Sequence, residues 1–178
     1  MGDLLFNPNG RIQKNRFWQG LVVLTVASVI LQAVQVKLGP SFGFVGTFIF
    51  FALGLALLYA DICVYAKRFH DAGTTGWWIL AVWLGSYIVS IILSSMFGSM
   101  FIGEQGIAIQ EEMMERMAQG ELMIALEAAE ALGELLLPLT IASMIANAVI
   151  MGFIVGSLKT DPRQNKHGPV PGEEWRDF

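Results

Sequence analysis

Four long apolar runs, separated by short polar segments, set the pattern of the chain. They cover residues 17–36, 44–66, 77–102 and 135–158. Each reaches the length of about 20 residues that a helix needs to cross a hydrocarbon layer of about 30 Å. The first, third and fourth carry no charged residue, and the second carries only Asp61. The pattern predicts an all-α membrane protein, with four transmembrane helices in an antiparallel bundle. A cleaved leader is the other way to read the first run, because Arg11, Lys14 and Arg16 precede it. The run is too long for that, and no small-x-small cleavage site follows it, so it reads as a retained helix. Burial of all four runs inside a soluble fold is excluded by length: so short a chain has too little polar surface to surround them.

Composition agrees. Of 178 residues, 54% are hydrophobic and 15% charged, and the mean hydropathy is +0.57. Soluble domains carry about 25% charged residues. The single cysteine, Cys63, excludes an intrachain disulfide and reads as a small buried hydrophobe.

The net charge of −4 hides an uneven distribution. Lys and Arg accumulate in cytoplasmic segments. With the N-terminus inside, Arg11, Lys14, Arg16, Lys67, Arg68, Lys159, Arg163, Lys166 and Arg176 fall on the inner side, and only Lys37 and Arg116 on the outer. The expectation is a cytoplasmic basic segment 1–16, a membrane domain 17–158 and a cytoplasmic tail 159–178. Trp18, Trp77 and Trp78 are then placed as anchors at the inner interface. The link 103–134, which holds eight glutamates, becomes an extracytoplasmic amphipathic helical insert between helices three and four. Met113 with Met117 and Leu122 with Leu126 supply its apolar face, Gly120 its bend, and Pro138 the start or kink of the fourth helix. It reads as a solvated cap, with a cation-attracting vestibule or a docking surface as the sharper alternative.

Small residues suggest seams between helices: Gly152 and Gly156, Ala52, Ala56 and Ala60, and Ser86, Ser90 and Ser94 continuing to Gly98. Two intramembrane polar features stand out. Asp61 is assigned a structural pairing with Arg68 or an N-terminal base; a functional role is the alternative, since ionisable groups inside a membrane are costly. Thr140, Ser143 and Asn147 form a mild polar stripe on the fourth helix.

Three segments of the inner face hold the most specific residues. Gly10, Arg11, Lys14, Phe17 and Trp18 form the entry to the first helix, with Arg11 and Lys14 spaced to share a helix face. The hairpin Lys67-Arg68-Phe69-His70-Asp71-Ala72-Gly73-Thr74-Thr75-Gly76-Trp77-Trp78 joins the second and third. Gly73 and Gly76 permit unusual backbone angles, and Thr74 or Thr75 is placed to cap the next helix. Asn165, Gly168 and Pro169 mark the tail.

These segments resemble the bacterial membrane-protein family known as domain of unknown function 805. Its pattern has a G-R-x-x-R-x-x-F-W entry, an R-R-L-H-D-x-G-x-S-G-W-W hairpin and an N-x-[YF]-G-P exit. Lys14, Lys67, Phe69, Thr75 and His167 stand where the pattern has other residues. The resemblance spans most of the chain apart from 103–134. It implies a multi-pass protein of the bacterial inner (plasma) membrane and supplies no reaction.

Three functions compete. The first is a non-enzymatic scaffold or interaction protein, whose basic cytoplasmic face contacts anionic lipid headgroups or a partner. A latch such as Asp71 with Arg11 would tie its three motifs, giving a cluster of Gly10, Arg11, Lys14, Arg68, His70, Asp71, Gly73, Gly76, Trp77, Trp78, Asn165 and Gly168. The second is a small transporter or channel using Asp61 and the stripe that includes Asn147. The third, an enzyme or metal site built on His70, Asp71, Asp161 and His167, is weakest. It lacks paired ligand spacing, a nucleophile elbow and a phosphate loop. No catalytic, cofactor or metal residue is therefore assigned, and no cofactor. The bilayer is the expected partner, with a protein partner or a second copy as further candidates and no nucleic acid.

Overall fold

A computed structural model describes residues 1–172, and these are helical with no strand among them. The elements are α1 (Gly2–Phe6), α2 (Lys14–Asp71), a short 3-10 turn (Gly76–Trp78), α3 (Ile79–Ala118) and α4 (Leu122–Gly156). Three helices, not four, are long and apolar enough to cross a membrane. The first two predicted runs are joined in α2 as one helical trace, broken only where Gly43 leaves helical geometry at φ 52° and ψ −143°.

That break reverses the chain. Phe17 packs edge-on against Tyr65 with ring centroids 5.3 Å apart, and Gly20 lies against Val64. Nearer the bend, Gly39 faces Phe50. The two limbs of α2 therefore run antiparallel. Pro40, one turn before the break, is compatible with it because proline interrupts the helical hydrogen-bond ladder.

α4 packs against the first limb of α2 and against α3, antiparallel to both. Gly152 and Gly156 meet Leu21, Trp18 and Phe17, so this small-residue seam is used within the chain. On its other side Asn147 meets Ser90 and Met151 meets Gly85. The other proposed seams are only partly used. Ala60 is buried while Ala52 and Ala56 are exposed; Gly98 is buried while Ser94 is exposed. Trp18 is not a free interface anchor: it is half-buried and stacks edge-on with Phe153 of α4. Trp77 and Trp78 are 75% and 56% exposed, as interfacial rings require.

Residues 103–134 form a helical hairpin that is continuous with its neighbours. α3 continues through a break at Gly103 (φ 56°) to Ala118, and α4 already begins at Leu122. The turn between them is a Schellman closure: the Gly120 and Glu121 amides donate to the Met117 and Arg116 carbonyls, with Gly120 at φ 78°. Gly106 against Leu135 shows the two extensions packed side by side. Met117, Leu122 and Leu126 are exposed, and the buried positions are the small ones, Gly106, Ala125 and Ala128. Close backbone approach took precedence over the predicted apolar stripe. α4 passes through Pro138 without a break; the helix starts sixteen residues earlier, at Leu122.

Candidate functional site: an ionic knot at one end of the bundle

Arg11 is not on a helix face with Lys14. It lies in extended chain between α1 and α2, and Lys14 is exposed and apart from it. α1 itself carries no periodic signal; only the apolar triplet Leu4-Leu5-Phe6 hints at it. It packs Leu4 into the core beside Gly20, and its Asp3 carbonyl accepts from the buried Lys67 Nζ at 2.5 Å.

Asp71, the last residue of α2, is fully buried. One carboxylate oxygen accepts from Arg11 Nη2 at 3.3 Å and Nε at 3.4 Å. The other accepts from Arg68 Nη1 and from the Thr160 hydroxyl, the latter at 2.7 Å. Both guanidinium groups reach further. Arg11 donates to the carbonyls of Arg163 at 2.8 Å and Asp161 at 2.5 Å. Arg68 donates to the Gly156 carbonyl at 3.2 Å and to that of Leu158. The Asp161 amide returns to the Asp71 carbonyl at 2.8 Å. Three segments far apart in sequence thus converge on one carboxylate. The carbonyl of Gly156, the last residue of α4, is met by an arginine in place of a helical amide.

Asp71 is aimed by the end of α2. The Gly73 and Thr74 amides donate to the His70 and Phe69 carbonyls, a second Schellman closure, with Gly73 at φ 75°. A side chain at Gly73 would also press on the Asp161 carboxylate, 3.0 Å from a would-be Cβ. Gly76 approaches Ala66 and His70 just as closely. Thr75 caps the following turn through the Trp77 amide, and the Thr74 hydroxyl donates back to the Phe69 carbonyl.

The histidines form a layer over the knot. His70 and His167 stack with ring centroids 3.6 Å apart and planes 5° from parallel. The His70 Nδ1 lies 3.1 Å from the Gly10 carbonyl, which can only accept, so this nitrogen carries the proton. Asn165 donates to the His70 carbonyl at 3.1 Å and its side-chain oxygen takes the His167 amide, while Gly168 closes the turn at φ 131°. Burial lowers both imidazole pKa values. The facing His167 lowers that of His70 further, and Lys166 lowers that of His167. The folded state thus prefers neutral rings. The stabilisation is full above the unfolded pKa of about 6.5 and is lost as pH falls through the lower folded values. The melting temperature of parent protein is expected to decline from about pH 6.5 downward. His167→Phe, which keeps a stacked ring without a proton to gain, should flatten that decline; an identical pH profile in the variant would refute the assignment.

Asp61 lies outside this knot. The expected pairing with Arg68 or an N-terminal base does not form, because both guanidinium groups are committed to Asp71. Among the described residues Asp61 has no ion-pair partner. It is half-buried and borders two adjoining cavities of about 340 and 250 Å³ between the helices. Asn147 donates to the Ser90 hydroxyl at 2.8 Å, while its buried carbonyl oxygen has no partner. Thr140 only bonds its own helix at Leu136. Cys63 is buried and free.

Comparison with curated proteins returns no match, and neither does comparison with solved structures. Residues 5–169 match the family described as "Protein of unknown function (DUF805)", a stretch that contains all three segments of the knot. The chain belongs to the DUF805 family.

Proposed function

We propose that this protein is a non-enzymatic, multi-pass scaffold of the bacterial inner membrane, held together by the ionic knot and touching anionic headgroups with the bases left outside it. In this reading each limb of α2 crosses the membrane, as do α3 and α4, giving four spans with both termini in the cytoplasm. The asymmetry of Lys and Arg supports that orientation.

The observation that carries the proposal is a division among the bases. Arg11, Lys67 and Arg68 are buried and bonded to internal oxygens, so they serve the fold. Lys14, Arg16, Lys159 and Lys166, at the same end of the molecule, are exposed. A base beside an anionic leaflet contributes about 1 kcal/mol each. The purified protein is expected to retain phosphatidylglycerol over phosphatidylcholine in native mass spectrometry. Replacing these four bases, together with Arg163, which is also exposed, by glutamine should remove that preference without lowering the melting temperature. An unchanged preference would sink the headgroup assignment. The transporter reading keeps one observation in its favour, the cavities at Asp61.

A further inference from the structure

The first limb of α2 carries Thr25, Ser28, Gln32 and Gln35, spaced three, four and three residues apart. That spacing places four polar side chains on one face of an otherwise apolar helix. All four border the cavities at Asp61, and Ser28 and Asp61 border both. The two cavities therefore adjoin at the carboxylate. Across from this stripe, α3 adds Trp83 and Ser86, and α4 adds Asn147 with its unpartnered buried oxygen. Toward the ionic knot the space ends on Leu21, Tyr65 and Met151, each buried.

We propose that this cleft is a binding site for a small organic monocation, an ammonium group on an apolar body, with Asp61 as its counter-charge. Three features select that class. The site offers a single negative charge with no internal cation to neutralise it, and an unpaired charge inside a bilayer is costly. The wall formed by Ser28, Gln32 and Gln35 brings hydroxyl and amide oxygens that can accept from a cationic donor beside that carboxylate. The walls hold the aromatic Trp83 and Tyr65, with Leu24 and Met144 to hold an apolar body. A bare metal ion fits less well. Among the described residues no group of three or more His, Cys, Asp or Glu side chains gathers to replace its hydration shell. The inference concerns binding and does not require transport.

The test is calorimetric titration of the purified protein in mild detergent, at mildly alkaline pH, with benzyltrimethylammonium. Its uncharged isostere neopentylbenzene is the parallel ligand. The cation is expected to bind at least about tenfold more tightly than the isostere. Asp61→Asn should lose about tenfold or more of the cation affinity while leaving binding of the isostere unchanged. Absence of cation binding to folded parent protein would overturn the proposal, as would equal affinity for both ligands. The comparison between ligands is made on the parent chain, so it holds even where a variant folds poorly. Uptake of the same cation into proteoliposomes separates the two ideas: binding without uptake supports the site and removes the transporter reading.

Discussion

Asp71→Ala is expected to lower the stability of the detergent-solubilised protein by about 3–5 kcal/mol, the usual consequence of removing one partner from a buried ion pair. The reason lies in what remains. Arg11 and Arg68 stay enclosed, each with a charge no longer opposed, and the Thr160 hydroxyl loses its acceptor. Neither guanidinium can escape to water, because each is also held by carbonyls of the tail or of the end of α4. Thermal unfolding followed by circular dichroism measures the effect. Two comparisons sharpen it. Thr160→Val removes the hydroxyl that donates to Asp71 and accepts from Arg68, and should cost about 1–2 kcal/mol. Arg163→Ala should change little. Its side chain is 87% exposed, and what it gives the knot is a backbone carbonyl that alanine keeps. A melting temperature for Asp71→Ala equal to that of the parent would mean that the knot does not hold the bundle together.

Gly152→Ala is the second large effect, with an expected loss of about 1–3 kcal/mol from overpacking. A Cβ at this position collides with Leu21 and lies 2.9 Å from the Trp18 ring. Trp18 cannot yield easily, since its ring is also pressed against Phe153 and the Gly156 backbone. The first limb of α2 would have to move away from α4. Gly133, in the same helix, provides the contrast. A Cβ there meets nothing within 4 Å, so Gly133→Ala should be neutral or stabilise by about 0.5–1 kcal/mol through the lower entropy of the unfolded chain. If both alanine variants melt alike, the seam between Gly152 and Trp18 is not a close contact.

The two effects act at different depths. The seam around Gly152 sets how near α2 and α4 approach, and the knot around Asp71 sets how their ends are locked. Between them lie Phe17, Val64 and Val155, all nearly or fully buried. A family signature whose arginines are enclosed in this way reads as a device for folding. That shifts attention for recognition to the exposed bases Lys14, Arg16, Lys159 and Lys166 and to the cleft at Asp61.

Some of this was legible from residue order. Apolar runs declare themselves without tertiary context, because a bilayer selects for length and hydropathy alone. The glycines at 73 and 120 could be read as turns because each lies where a helix must end with a left-handed residue. Pairing of Arg11 with Asp71 was open to inference from the motif, since a buried carboxylate needs a cation. The partners on the tail were not. Arg11 and Arg68 reach backbone carbonyls of Gly156, Leu158, Asp161 and Arg163, and every residue has a carbonyl, so no side-chain pattern marks them. The stacking of His70 on His167 likewise joins positions 97 residues apart.

Within the apolar runs, residue pattern does not report the inner face. Helices that face lipid need not hide apolar residues, so an apolar stripe does not mark which face is inside. Ile88, Ile91 and Phe153 are exposed while the small Ala60 and Gly152 are buried. The division of the first two runs was legible, since the break falls in the gap between residues 36 and 44, but the residue that makes it was not. Gly43 breaks the helical path although Lys37 and Pro40 carry the more obvious signals, because a reversal requires the one residue able to adopt φ 52° at low cost. Residue order alone determined the solvent this chain lives in, the sites where its helices turn, and its family. Tertiary structure alone decided which arginines are spent on the fold, and that Asp61 is left unpaired beside a cleft, since charge neutralisation depends on which groups meet in space.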